Sequence, residues 1–126
     1  MTYTFFAEGD PVSQGSMSVF KGRAVHSNNA KLKAWRTIVN QAAAEAGMKP
    51  LPLPVSVNLK FHLKRPKTVN RAVPSVKPDL DKLVRAVLDA MTGVGYDDDS
   101  QVIRITARKL YGVTAWVEVA VTYLHE

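Results

Sequence analysis

The chain has 126 residues, 46% of them hydrophobic, with 17 Lys+Arg against 11 Asp+Glu, a formal net charge of +6 and no cysteine. This length and apolar share fit one globular domain, 1–126, with a buried core, and the lack of cysteine excludes disulfides, thiolate zinc sites and cysteine nucleophiles. No segment approaches the ~18 apolar residues of a membrane span and no cationic, then apolar leader opens the chain, so we expect a cytoplasmic protein without a membrane span, while the charge of +6 favours a polyanionic partner such as nucleic acid or an acidic membrane surface, of which we expect nucleic acid.

Thr2 to Ala7 is short, aromatic and β-prone and runs into the turn-rich GDPVSQGS, which predicts a strand and then a loop to about Asn29. From Ala30 to Ala46 the residues Leu32, Trp35, Ile38, Val39, Ala42, Ala43 and Ala46 recur at helical spacing, with Asn28 or Asn29 as cap and Gly47 as stop. Val55 to Leu63 alternates apolar and polar residues, the period of a half-buried strand. A basic loop, Lys64 to Pro78, follows. Leu80, Leu83, Val84, Val87, Leu88 and Met91 then form one apolar helical stripe that Gly93 ends. Val102 to Leu110 and Val113 to Leu124 read as two strands turning at Tyr111-Gly112, a hairpin. The order β-α-β-α-β-β implies an α+β fold: a mixed sheet of about four strands with two helices.

The charges are segregated. Between residues 11 and 78 twelve Lys or Arg face one acid, Glu45; between 79 and 99 Asp79, Asp81, Asp89, Asp97, Asp98 and Asp99 face only Lys82 and Arg85. A dense acidic patch repels itself unless a cation neutralises it, and a basic surround suits a phosphate backbone. Lys21, Arg23, Lys64, Arg65, Lys67, Arg71 and Lys77 are the candidate DNA-binding residues. Mg²⁺, with Mn²⁺ as a substitute, needs only one or two carboxylates beside water and substrate phosphate, and such an ion serves nucleases by polarising the phosphate and activating water.

Asp79 follows Pro78 at a predicted helix start, the one place where it and Asp81 can converge, because residues two apart in a regular helix diverge by roughly 160°. Arg85 lies four residues beyond Asp81, on the same face. The run Asp97 to Asp99 precedes a strand, from which a carboxylate could approach the helix N-terminus. Structural readings stand beside these: Asp79 as N-cap, Asp81–Arg85 as a surface ion pair, Asp97 to Asp99 as a solvated turn, Asp89 as an ordinary surface charge, and Trp35 and Trp116 as packing residues. His26, His62 and His125 lack metal-ligand spacing, and Ser13, Ser16 and Ser18 have no histidine partner in view. The D-x-[DN]-x-[DN]-G-x₅-E calcium loop is missing from the sequence. A non-catalytic basic DNA-binding protein is the alternative to a metal-dependent nuclease.

KPDLDKLVRAVLDAM, a short glycine-containing loop and YDDDSQV together resemble the RusA-type Holliday junction resolvases, small endonucleases of phages and prophages. GDPVSQG after the first strand and KAWR in the first helix add to the likeness. The resemblance implies that Asp79, Asp81 and Asp99 are metal-binding carboxylates, with Asp98 as the rival to Asp99. It also places Arg85 where the family commonly has a catalytically helpful lysine, and Lys82 where an amide is common. It further implies a Mg²⁺-dependent homodimer that introduces paired nicks across a four-way DNA junction.

Overall fold

The computed structural model of the chain describes residues 1–15, 18–20, 23–25 and 29–125. Strand β1 (Thr2–Glu8) is followed by two short strands, β2 (Ser18–Phe20) and β3 (Arg23–Val25), then by helix α1 (Asn29–Glu45) and strand β4 (Val55–Lys64). Helix α2 (Leu80–Met91), a single 3-10 turn at Asp99–Gln101 and strands β5 (Val102–Gly112) and β6 (Trp116–Tyr123) complete the chain. The main sheet has the order β1-β6-β4-β5, antiparallel except for the parallel β4–β5 pair, so the α+β class and the mixed four-stranded sheet expected from the sequence are observed.

Two expectations are corrected. Residues 18–25 lie in the segment read as loop, yet β2 and β3 pair antiparallel in a ribbon of their own. The last two strands are not a hairpin: β6 inserts between β1 and β4, and β5 pairs with β4 alone. The physical reason is the demand for partners. Val117, Val119, Val121 and Tyr123 of β6 are all buried, which suits a central strand with neighbours on both sides, whereas β5 leaves Ile103 65% and Ile105 48% exposed. The expected cap Asn28 lies outside the described residues.

One face of the sheet carries the core. Val55, Val57, Leu59 and Phe61 of β4 alternate inward beside the buried residues of β6, and Leu32, Trp35, Val39 and Ala43 of α1 close over them with Leu83, Val84, Val87 and Met91 of α2. Each Val, Leu, Phe or Met among them contributes about 1.5–3 kcal/mol when fully buried. The stripe predicted for α2 splits: Leu80 and Leu88 are only partly buried and face outward beside β5. Gly93, at φ 89°, ends the helix in the left-handed region, its N–H donating to the carbonyl of Tyr96 at 2.7 Å.

The opposite face is open. There the rings of His62 and Trp116, paired across β4 and β6, stack with centroids 3.8 Å apart and 4° between planes. Burial holds the His62 pKa below its ordinary value of 6.5, with the Glu118 carboxylate acting in the opposite direction. A lowered folded pKa means that the unfolded chain takes up this proton first. His62 therefore favours the fold fully above pH 6.5 and withdraws that support as pH falls from 6.5 through its lower folded value. Replacing His62 with Phe should flatten this part of the stability–pH curve, measured by urea denaturation between pH 5 and 8; a slope equal to wild type would refute the assignment.

Candidate metal centre and nucleic-acid interface

Helix α2 and the entry to β5 position the acids. Asp79 is the N-cap of α2, with φ −70° and ψ 135°, and its carbonyl accepts from the N–H of Leu83 at 3.1 Å. Its carboxylate makes no capping hydrogen bond. The capping role therefore falls on the backbone of Asp79 and leaves the side chain to other uses. Its one charged neighbour among the described residues is Lys82, at 3.5 Å, an exposed pair worth about 0–1 kcal/mol. The Asp81–Arg85 ion pair does not form. Both side chains are exposed and line a groove of about 650 Å³ between α2 and β5.

This groove runs the length of α2. Its apolar lining comes from Leu80, Val84 and Leu88 of the helix and from Ile105 and Ala107 of the strand; Asp81, Arg85, Asp89 and Asp99 rim it. Asp99 does not approach the helix start. In a parallel crossover the helix runs opposite to its strands, so the entry to β5 lies beside the tail of α2, where Asp89 is found. Asp81 and Asp89 are separated by about 12 Å along the helix axis. Among the described residues no three Asp, Glu or His side chains gather at one metal centre. The chain thus holds two acidic stations: Asp79 with Asp81 at one end of the groove, and Asp89 with Asp99 at the other. Asp89, read from sequence as an ordinary surface charge, belongs to the groove; its spacing of eight from Asp81, with Arg85 midway, was the available signal.

The run Asp97 to Asp99 separates into distinct roles. Asp98 accepts from the N–H of Ser100 at 2.8 Å, and this backbone hydrogen bond lowers its pKa. Gln101 closes the capping box, its Oε1 accepting from the N–H groups of Asp97 and Asp98 at 2.9 and 3.1 Å. Asp99 is left facing the groove, its pKa raised by burial first and then by the negative charges of Asp98 and Asp89. A carboxylate whose ionisation is opposed in this way gains from a nearby cation. The donor chemistry fits Mg²⁺ or Mn²⁺: hard carboxylate oxygens, open to water, of which those of Asp79 and Asp81 make no hydrogen bond among the described residues and that of Asp99 meets only the neighbouring Asp98 side chain.

The basic residues gather at the head of α2. Lys64, Arg71 and Lys77 line a cavity of about 270 Å³ that reaches Pro78, next to Asp79. Arg71 donates to the Tyr111 hydroxyl at 2.8 Å, and the Arg65 guanidinium lies 5.5 Å from the centre of the Tyr111 ring. Lys67 is exposed on the same loop. Arg23 falls in β3, and Lys21 lies outside the described residues. No helix among the described residues is long and apolar enough to cross a membrane.

A compact α+β domain with free carboxylates on a groove and cations at one end has the outline of a nucleic-acid-processing domain. The family model Endodeoxyribonuclease RusA matches residues 8–122, and the chain belongs to that family. It is 30% identical over 132 residues to the "Uncharacterized protein YqaN" of Bacillus subtilis (strain 168), covering 93% of each chain. It is also 32% identical over 97 residues to the Crossover junction endodeoxyribonuclease rusA of Lactococcus phage r1t, covering 76% of this chain and 72% of that one.

Gln101 makes a sharp prediction about the acidic turn. Its Nε2 donates to the carbonyls of Leu51 and Leu53, both at 2.9 Å, so one side chain ties the turn to the segment that leads into β4. Gln101→Ala should lower stability by about 1–2 kcal/mol in urea unfolding, since two part-buried carbonyls and two exposed N–H groups lose their partner together. A change within experimental scatter would show that the turn is held by other means.

Proposed function

We propose that the chain is a Mg²⁺-dependent, structure-selective endodeoxyribonuclease, with Mn²⁺ as a substitute ion, that resolves four-way DNA junctions by paired nicks. It acts as a homodimer on branched DNA in the cytoplasm, in recombination, repair or phage DNA processing. The observation that carries this reading is the Asp79 carboxylate, unused as a cap at the head of α2 and adjoining a basic cavity. Membership of the RusA family and the junction-endonuclease name of the phage relative support it.

Asp79 and Asp81 would hold the ion, with Asp99 of a second copy of the chain as third carboxylate and Asp98 committed to its own turn. When bound, the ion supplies phosphate charge neutralisation and water activation to phosphodiester hydrolysis. The chain's own groups do the positioning. Lys64, Arg65, Lys67, Arg71 and Lys77, with Lys21 and Arg23 assigned from sequence, take the DNA backbone; phosphate contacts set register without reading sequence. Arg85 shares the groove with Asp81 and offers a planar guanidinium to phosphate oxygens as their charge builds.

The separation of the two acidic stations bears on the homodimer. A twofold axis through the middle of the groove reverses its direction, so the Asp99 end of one copy meets the Asp79–Asp81 end of the other. Leu80, Val84, Leu88, Ile105 and Ala107, with exposed Ile103 close by, give such a pairing an apolar surface to cover. The pair would present two equivalent sites to opposing strands of a junction that is itself nearly twofold symmetric.

Asp81→Asn should lower junction nicking by about 100-fold or more while leaving junction binding intact in calcium buffer. Full activity would remove Asp81 from the ion's shell, and binding without nicks by wild-type protein in any divalent ion would leave a DNA-binding protein only. Mixing Asp81→Asn with Asp99→Asn tests the shared site. If each centre draws on both copies, mixed dimers regain one intact centre and nick one strand; if each copy is self-sufficient, the mixture stays as inactive as its parts.

A further inference from the structure

We propose that Lys109 is the positioning residue of the Asp79–Asp81 pair, clamping the backbone just before Asp79 so that the two carboxylates are held ready for a divalent ion. This rests on the reading of those acids as metal ligands. Lys109 sits on β5 opposite the buried Phe61 of β4, so its side chain leaves the sheet on the face that the helices cover. Its ammonium donates to the carbonyl of Val76 at 2.7 Å and to that of Pro78 at 2.9 Å.

Three features make this more than a loop tether. The connection from Arg65 to Asp79 contains no helix or strand, so its last residues have no ladder of backbone hydrogen bonds to hold them. The carbonyl of Pro78 belongs to the peptide that joins Asp79, and turning that peptide swings Asp79 with it. The Asp79 carboxylate, in turn, has no capping bond of its own and only the exposed pair with Lys82 at 3.5 Å to direct it, so its aim depends chiefly on the backbone that precedes it. A lysine suits the task because a compact ammonium has three donors and can grip two carbonyls with one to spare, where a guanidinium would impose a flat fork. Residues that orient a ligand from behind typically change metal affinity 10–100-fold when removed.

The test uses the full chain and Mn²⁺ alone, titrated calorimetrically without DNA, alongside nicking across a range of Mn²⁺ concentrations. Lys109→Met should keep a cooperative melt and unchanged junction binding in calcium buffer, raise the Mn²⁺ dissociation constant about 10–100-fold, and recover nicking as Mn²⁺ is increased. Lys109→Gln, whose amide can still reach one carbonyl, should show a smaller rise, and it decides the matter if the Met variant fails to fold. Mn²⁺ affinity equal to wild type in the folded variants would overturn the clamp. An Asp79→Asn control keeps the two ideas apart: if it leaves wild-type Mn²⁺ affinity unchanged, the ligand assignment itself is wrong and the clamp falls with it.

Discussion

The parallel pairing of β5 with β4 governs the rest of the molecule. Two adjacent parallel strands need a crossover between them, and here α2 provides it, running back along the sheet between the end of β4 and the start of β5. That direction fixes the head of α2, with Asp79 and Asp81, at the end of the sheet where β4 finishes. It also fixes the Asp97–Asp99 turn at the other end. Since β5 is an edge strand, the helix and strand diverge over an uncovered apolar groove, and the acids fall on its rim. Charge placement on this chain is thus a consequence of strand order.

Elements whose determinants are local were legible in the sequence. The alternation of β4 and the periodicity of α2 are properties of consecutive residues, and both elements appear within a residue of their expected bounds. Partner choice is not local. Tyr111-Gly112 resembles a turn, and nothing within β5 or β6 says that β4 lies between them; the information is distributed over the buried faces of β1, β4 and β6, which compete for neighbours. One wrong pairing then propagated to the site, because a hairpin leaves open where the entry to β5 sits and a crossover does not.

The acidic run shows the same division at the scale of single side chains. Composition treats Asp97, Asp98 and Asp99 alike, but the 3-10 turn makes Asp98 a cap with a lowered pKa and turns Asp99 toward Asp89 with a raised one. Ser100 and Gln101 belong to the turn through their backbone and side-chain bonds. The choice between Asp98 and Asp99, open from sequence, becomes a contrast between a carboxylate held by a backbone N–H of its own turn and one that no backbone group among the described residues holds. Asp89 joined the site only once α2 was placed against β5.

On the proposed dimer, covering the groove and binding the ion reinforce each other. A second copy laid over Leu80, Val84, Leu88 and Ile105 would remove water from the acids on the rim as well as from the apolar floor. Burial already opposes the ionisation of Asp99, and deeper burial without a counter-charge would add to that cost. A divalent ion supplies the counter-charge, so it favours the covered state; by linkage, the covered state binds the ion more tightly by the same factor. The isolated chain, with its acids split between two ends and its groove open, sits at the weak-binding end of that coupling. Metal affinity and self-association are then two readings of one free energy.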